Sequence, residues 1–184
     1  MSDRQPASLG AATVAAAPPI GMIALKADLA DTGLAAALLD ATGLAVPQIR
    51  RASLAGENTA LWFAPDEVLI LTPDAAAATA RLGAALSNTH HLLADVSGAR
   101  LRFFIDGPAA RDLLAKGAPV DFAPDRFRAG DFRRTRLGQL AAAIWCMAPA
   151  RFCLFCHRSV GQHVELWLET AAASGAAGLY RRSE

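Results

Sequence analysis

The spacing of hydrophobic and polar positions predicts strands and helices in an order that occurs twice along the chain. Apolar, β-branched runs indicate strands, and apolar residues three and four positions apart indicate helix faces. The elements predicted in the first half are a strand at Ile20–Ala27, a helix from a cap at Asp31-Thr32 to Thr42 before Gly43, strands at Thr59–Phe63 and Glu67–Leu71, and a helix from Thr72-Pro73-Asp74 to about Leu86.

The second half repeats this order with different residues. Its predicted elements are a strand at Arg100–Ile105, a turn at Asp106-Gly107-Pro108, a helix at Ala109–Lys116 closed by Gly117, strands at Phe132–Leu137, Leu140–Met147 and Phe152–His157, and a helix at Gln162–Ala173. Strands that follow one another through short turns, with helices between them, predict an α+β fold. Each half then has the order strand-helix-strand-strand-strand-helix.

A local sequence echo indicates that the two halves arose by internal duplication. The sequence of residues 61–74 aligns with that of residues 144–159. Each stretch has a tryptophan in a strand, a proline turn three or four residues later, an apolar strand and a polar helix start. We therefore predict a single domain over residues 20–180, with similar halves at about 20–94 and 95–180. The alternative is that two common strand-turn-strand-helix units are alike by chance.

Composition narrows the class of protein. The 184 residues are 53% hydrophobic and 19% charged, enough apolar material for a buried core, and the net charge of +1 gives no basic field for nucleic acid. No apolar run reaches the roughly 20 residues of a membrane helix. Residues 1–19 lack the continuous apolar run of a secretory signal, so we predict a disordered arm and a cytoplasmic protein. An odd cysteine count, three, argues against a disulfide framework.

The sharpest motif for chemistry is Cys153-x-x-Cys156-His157, the spacing of a c-type haem attachment site. It lies in a predicted strand, where Cys153 and Cys156 point to opposite faces. A zinc site that includes Cys146 would need a tight knuckle that this stretch lacks. We therefore interpret the cysteines as buried structural residues, with neither haem nor metal bound.

Other polar residues carry weaker signals. His90 and His91 are adjacent and would face opposite ways in a strand, and His163 begins a helix, so none is predicted to be a ligand. Ser97 is interpreted as a turn or cap residue rather than a nucleophile. The chain contains no dinucleotide or phosphate-loop motif. We predict no catalytic and no cofactor-binding residue.

A basic cluster in the second half is the best candidate for a binding surface. Its arginines are Arg126, Arg128, Arg133, Arg134 and Arg136, with Phe127 and Phe132 between them and Asp121, Asp125 and Asp131 offsetting their charge. Arginine and aromatic residues are both favoured at protein interfaces. The residues predicted to contact a partner are Arg128, Arg133, Arg134, Arg136 and Arg158. Binding of an anion, such as a polyglutamate or a phosphate group, is the alternative.

A longer set of residues resembles a known family. The set comprises Asp95-Val96-Ser97, Gly107-Pro108-x-x-Arg111-x-x-Leu114, Asp121, Gly130 with Thr135, Arg158-Ser159 and Trp167-Leu168. Together with LWFAPDEVLIL in the first half, these residues are similar to the gamma subunit of heterotetrameric sarcosine oxidase over about residues 20–173. That family in turn resembles the folate-binding domain of the glycine-cleavage aminomethyltransferases, which implies an internally duplicated α+β fold.

One departure from the aminomethyltransferases affects the expected function. Where they carry an acidic pair used in folate chemistry, this chain has Leu140-Ala141, and no carboxylate lies between Asp131 and Glu165. Leucine and alanine cannot serve as acid or base. The resemblance therefore implies a non-catalytic paralogue.

The resemblance also implies partners. Sarcosine oxidase converts sarcosine to glycine with formation of hydrogen peroxide and transfer of the one-carbon unit to tetrahydrofolate. In the family, FAD, FMN, NAD and tetrahydrofolate are associated with the larger subunits and zinc with the smallest. We expect a bacterial chain that docks to alpha, beta and delta subunits and that, when isolated, is inactive and able to form a homodimer. A stand-alone folate-binding or aminomethyltransferase-like protein is the alternative.

Overall fold

The computed structural model describes residues 7–9, 12–174 and 180. The chain divides into two compact units. The first unit is Pro19–Ala99, and the second unit combines Met1–Pro18 with Arg100–Glu184. None of the helices within the described residues has the length and apolar character that crossing a membrane requires.

The elements alternate between short helices and strands joined by turns. In chain order they are β1 (Ala7–Leu9), β2 (Ala12–Ala16), β3 (Gly21–Lys26), α1 (Thr32–Thr42), β4 (Ala52–Ala55), β5 (Asn58–Ala64), β6 (Glu67–Thr72), α2 (Ala75–Ala85), β7 (Leu92–Asp95), β8 (Arg100–Asp106), α3 (Ala110–Ala115), β9 (Phe132–Leu137), β10 (Leu140–Ala148), β11 (Arg151–His157), a 3₁₀ turn (Arg158–Val160) and α4 (Gly161–Ala173).

The first unit is an antiparallel sheet of five strands in the order β4-β5-β6-β3-β7. Its core lies between this sheet and the two helices α1 and α2, and includes Ile23, Leu38 and Ile70. Local chemistry fixes α1 as predicted. The Asp31 carboxylate accepts from the Gly33 amide at 2.7 Å at the first turn, and Gly43 ends the helix at φ 75°.

The second unit is an antiparallel sheet of six described strands in the order β1-β2-β8-β11-β10-β9. Its core lies on the face covered by α3 and α4, and includes Phe103, Ile144 and Leu168. Three phenylalanines, Phe122, Phe127 and Phe152, meet there with ring centroids 5.4–6.3 Å apart. This unit has the larger aromatic core of the two.

The prediction of a disordered arm is wrong for residues 7–9 and 12–16. β2 pairs with β8, with Val14 opposite Ile105, and both Ala12 and Val14 are buried in the core. The alanine-rich segment forms a strand because its backbone pairs with β8. Alanine has little β-propensity, so the side chains of the segment alone do not predict a strand. The remaining residues of the predicted arm up to Ala11 lie outside the described part of the chain.

The repeated order of elements is confirmed by the topology. Each unit has a strand, a helix, three strands paired in sequence and a second helix, and the fold is α+β. The chain passes from the first unit to the second at residues 99 and 100, later than the predicted 94 and 95, because Leu92–Asp95 forms the edge strand β7 beside β3. β4 and β7 are strands that the hydrophobic pattern did not predict.

The two tryptophans of the echo are not equivalent. Both units close a hairpin with a two-residue proline turn, in which Ala64 pairs with Glu67 and Ala148 with Arg151. When residues are counted back from these two turns, Trp145 corresponds to Leu61 and not to Trp62. The true correspondence is therefore shifted by one residue, and Trp62 and Trp145 lie on opposite faces of their sheets.

Candidate protein-binding surface

The hairpin of β9 and β10 positions the arginines of the predicted interface. A two-residue turn at Gly138 and Gln139 joins the strands, and Gly138 takes φ 59°, a conformation that glycine adopts without strain. Leu137 belongs to the helix-covered core. Because side chains alternate along a strand, Arg134 and Arg136 project from the opposite face of the sheet.

Strand register brings further basic groups onto that same face. Arg136 lies opposite Ala141 on β10, and His157 at the end of β11 lies opposite Arg100 on β8. Arg158 follows His157 directly at the start of the 3₁₀ turn. Arg134, Arg136, Ala141, His157 and Arg158 are all exposed, and Arg100 is half-buried. We call the residues Arg100, Arg134, Arg136, His157 and Arg158 the basic strip.

Two of the five predicted interface arginines, Arg133 and Arg128, make local structural contacts. The Arg133 guanidinium lies 5.5 Å from the centroid of the Phe127 ring and donates to the Phe132 carbonyl at 2.8 Å. Arg128 donates through Nε to the Asp125 carbonyl at 3.0 Å. These contacts hold the loop before β9. The other three arginines of the predicted set, Arg134, Arg136 and Arg158, belong to the basic strip.

The aromatic residues between the arginines do not form a platform for bases. Phe127 and Phe132 are both buried, and Phe127 packs edge-on against Phe122 with centroids 5.4 Å apart. Stacking of nucleic acid bases needs exposed ring faces. The arginines and phenylalanines that alternate in the sequence are therefore separated in the structure. The phenylalanines are buried, and Arg134 and Arg136 lie on a charged surface.

The sequence pattern missed Arg100 and His157 as members of the strip. Both lie at ends of strands that were predicted, but more than twenty residues separate each of them from Arg134 and Arg136. Only the cross-strand register shows that they share a face. The alternation of side chains within β8 and β11 indicates which face each residue occupies. The sequence does not give the order of the strands, which is needed to place these residues beside Arg134 and Arg136.

Arg111 is a second residue whose position the sequence did not reveal. It is 6% exposed on α3 and donates to three backbone carbonyls, those of Phe122, Phe127 and Pro149, at 2.5–3.2 Å. Its guanidinium also lies 5.1 Å from the centroid of the Phe152 ring. The fork of donors thus ties the loop before β9 to the proline turn between β10 and β11.

The cysteines are buried, as the sequence predicts. Cys146 and Cys156 belong to the helix-covered core, whereas Cys153 is outside it, as expected for the opposite face of β11. Burial raises the pKa of the Cys153 thiol to about 12 and that of Cys156 to about 11, against the weaker opposing effect of nearby arginines. Such thiols are poor nucleophiles and poor metal ligands at neutral pH. Among the described residues, no three His, Cys, Asp or Glu side chains are grouped as a metal site would require.

Ser97 has the turn role that the sequence predicts. Its amide and hydroxyl both donate to the Asp95 carboxylate, at 2.9 and 2.5 Å, and its oxygen accepts from the Met22 amide at 2.8 Å. The hydrogen bond from the Ser97 hydroxyl lowers the pKa of the Asp95 carboxyl most, and the hydrogen bond from the Ser97 amide lowers it further. The group fixes the chain where it leaves β7, which is a structural role for the Ser97 hydroxyl.

Within the part of the chain that the structure describes, no histidine belongs to a group of three or more potential metal ligands. His90 and His91 precede β7 in a loop rather than lying in a strand, and His91 Nδ1 is 2.8 Å from the Thr89 carbonyl. His163 is exposed on α4, as predicted.

Leu140 and Ala141 begin β10, beside the basic strip. Leu140 packs against the helix-covered core and Ala141 is exposed. Residues 132–164 contain neither aspartate nor glutamate. Residues 132–164 therefore contribute positive charge and small apolar surface here, and no carboxylate of their own for acid–base chemistry.

Sequence comparisons identify relatives over most of the chain. Residues 26–174 match the model of the sarcosine oxidase gamma subunit family. The chain is 33% identical over 136 residues to a sarcosine oxidase subunit gamma from Corynebacterium sp. (strain P-1), covering 72% of this chain and 66% of that protein. It is 30% identical over 156 residues to the subunit gamma from Arthrobacter sp., covering 84% and 75%. The chain thus spans about two thirds to three quarters of these relatives.

Solved structures give the same relationship. A chain of heterotetrameric sarcosine oxidase from Corynebacterium sp. U-96, in complex with pyrrole 2-carboxylate, superposes with a TM-score of 0.84 at 26% identity, covering 97% of this chain and 90% of that one. The aminomethyltransferase T of the glycine cleavage system from Bartonella henselae shares the fold, with a TM-score of 0.60 at 16% identity, covering 86% of this chain and 45% of that one. The chain belongs to the sarcosine oxidase gamma subunit family.

Proposed function

We propose that this chain is the non-catalytic gamma subunit of a heterotetrameric sarcosine oxidase. The proposal is supported by the family match over residues 26–174 and by the superposition on a chain of a heterotetrameric enzyme. The complex would demethylate sarcosine oxidatively to glycine, form hydrogen peroxide and pass the one-carbon unit to tetrahydrofolate. The chain itself would dock to alpha, beta and delta subunits in the cytoplasm.

The observation that carries the non-catalytic role is the start of β10. Leu140 and Ala141 occupy the place where the resemblance to aminomethyltransferases leads one to look for carboxylates, and no acidic residue lies in residues 132–164. The buried thiols, with pKa values of about 11 and 12, are protonated at neutral pH. FAD, FMN, NAD, tetrahydrofolate and zinc would accordingly reside in the other subunits.

Co-expression tests this function. A tagged chain expressed with the three other subunits from the same cell should retain a yellow flavoprotein complex that consumes oxygen when sarcosine is added. The chain purified alone should consume none. Recovery of the tagged chain without other subunits, while those subunits assemble and oxidise sarcosine among themselves, would refute the proposal.

The stand-alone alternative has its own measurement. The fold shared with aminomethyltransferase T motivates it, although that likeness concerns the fold alone. Titration calorimetry of the isolated chain with tetrahydrofolate should give no binding at micromolar concentrations. Tight, stoichiometric binding together with one-carbon transfer would favour the aminomethyltransferase-like function instead.

A further inference from the structure

The basic strip is a feature that the second unit does not share with the first. Counting from the matching proline turns, the first-unit positions that correspond to the strip are Ile20 for Arg100, Leu54 for Arg134, Pro73 for His157 and Asp74 for Arg158. Arg136 has no counterpart, because the hairpin of β9 and β10 carries two more residue pairs than that of β4 and β5. The same fold thus forms without any of these basic residues.

We propose that the basic strip binds an extended acidic segment of another subunit of the complex. This inference rests on the proposed function and specifies the surface and the chemistry of the partner. Four arginines lie in the strip of a chain whose net charge is only +1, so the positive charge is local rather than general. Local charge of one sign selects and orients an oppositely charged partner.

The dimensions of the strip favour a chain segment over a single anion. Arg136 and Arg100 lie on strands three places apart in the order β9-β10-β11-β8. At roughly 4.8 Å per strand, their backbones are about 14 Å apart. One phosphate or carboxylate engages a single guanidinium or two adjacent ones, whereas a row this long matches several acidic side chains along an extended peptide.

The middle of the strip is shaped for close approach. Ala141 lies between Arg136 and His157 on the neighbouring strands and is exposed, so a partner backbone meets a methyl group there rather than a long side chain. The arginines on either side then reach its acidic groups. Nucleic acid is the less suitable polyanion, because the nearby Phe127 and Phe132 rings are buried and present no stacking surface.

A pair of matched variants tests the surface in the assembled complex. The double variant Arg134→Glu and Arg136→Glu reverses two charges of the strip. The control double variant Arg81→Glu and Arg126→Glu changes the net charge equally, at two exposed arginines that are not part of the strip. Circular dichroism and thermal unfolding of each purified chain verify that both fold.

The strip variant should weaken assembly with the other subunits at least about tenfold, and the wild-type association should weaken as salt rises while that of the variant does not. The control variant should assemble like the wild type. Equal loss in both variants, or no loss in the strip variant while the wild type assembles, would refute the strip and leave the proposed function standing. If the wild-type chain itself fails to assemble, it is the proposed function that fails.

Chemical cross-linking identifies the partner segment. In the variant Arg136→Lys the charge is kept and a primary amine is introduced, which a carbodiimide couples to a carboxylate in direct contact. Mass spectrometry of the complex should find this lysine joined to an aspartate or glutamate of another subunit. Cross-links confined to the chain itself, or binding of heparin or polyglutamate by the isolated wild-type chain as tight as its binding to the subunits, would contradict the inference.

Discussion

The two units bring a strand and a helix into close contact at the same place in the fold, but they do so with different residues. In the first unit the glycine is on the strand: a Cβ on Gly21 of β3 would lie 2.7 Å from Ala75 Cβ on α2. In the second unit the corresponding strand residue is Leu101 and the glycine is Gly161 on α4, where a Cβ would overlap Leu101 Cδ1. Both units thus keep the close contact between the strand and the helix, but the glycine that permits it is on the strand in the first unit and on the helix in the second.

The connections from the first helix to the next strand differ more. Residues 43–51 suffice in the first unit, whereas residues 116–131 form a longer loop in the second. Arg111 organises that loop through the carbonyls of Phe122 and Phe127. A long loop leaves more backbone carbonyls without ladder partners, and one buried guanidinium satisfies several of them.

The strands that lie beside β3 and β8 on the side away from β6 and β11, namely β7 and β2, are also held differently. In the first unit, the Met22 amide donates to the Ser97 hydroxyl just beyond β7, at 2.8 Å. In the second, the Arg102 guanidinium donates to the Pro18 carbonyl just beyond β2, at 2.6 Å. Pro18 and Ser97 occupy matching positions, so the two units fix the same point with a long charged side chain in one case and a short polar one in the other.

The largest expected loss of stability comes from the tryptophan that the second unit buries. Trp145 is 5% exposed, and its replacement by alanine should lower the free energy of unfolding by about 3–5 kcal/mol. Trp62→Ala should cost less, because Trp62 is only half-buried. Urea unfolding followed by circular dichroism measures both, and an equal loss would show that the two tryptophans are equivalent after all.

A conservative variant separates packing from hydrogen bonding at Trp145. The indole nitrogen is buried with no hydrogen-bond partner among the described residues. Trp145→Phe should therefore retain most of the stability that Trp145→Ala loses. If phenylalanine were as destabilising as alanine, the indole N–H would have a partner that matters.

Arg111 should contribute the next largest effect, and only to the second unit. Arg111→Met keeps the length of the side chain but leaves the three carbonyls without their donor, which should cost about 2–4 kcal/mol. Arg111→Lys should recover only part of this, because one ammonium cannot reproduce the planar fork. The control Arg126→Met removes an exposed arginine paired with Asp125 at 3.7 Å and should change the unfolding midpoint little.

The exchanged glycines give a smaller and asymmetric pair. Gly21→Ala would place its Cβ 2.7 Å from the Thr72 carbonyl oxygen, a backbone atom that cannot move aside, and should cost about 1–3 kcal/mol. Gly161→Ala meets only the flexible end of Leu101 and should cost less. Thermal unfolding of both variants measures the two losses of stability. A larger loss for Gly161→Ala than for Gly21→Ala would contradict this explanation of the close contact.

The parts of the fold that the sequence predicts correctly have local causes. The Asp31 cap and the Gly43 stop of α1 depend on residues a few positions apart, and the apolar runs of β6 and β11 are continuous. β2 and β7 were missed because their sequences carry little β-propensity, and they form strands through the partners β8 and β3.

The candidate site was only partly predictable for the same reason. Arg134 and Arg136 share a face because they are two residues apart in a strand, which alternation alone reveals. Arg100 and His157 join them through strand order, which is a property of the whole sheet. The misaligned tryptophans have a related cause, since matching by residue identity ignores the turn that fixes the register of the hairpin.

The smallest expected effect concerns the Asp95 and Ser97 turn of the first unit, and it depends on pH. The Ser97 hydroxyl and amide lower the pKa of Asp95 from its ordinary value of 3.8, so the folded chain binds a proton there less readily than the unfolded chain. The stabilisation is therefore present above the unfolded pKa and is lost as pH falls through the lower folded pKa. Asp95→Asn should reduce the free energy of unfolding slightly at pH 7 and make it less dependent on pH below about 4. In the second unit the matching residue is Ala16, which cannot titrate, so an unchanged acid dependence in the variant would mean that Asp95 does not hold this turn in solution.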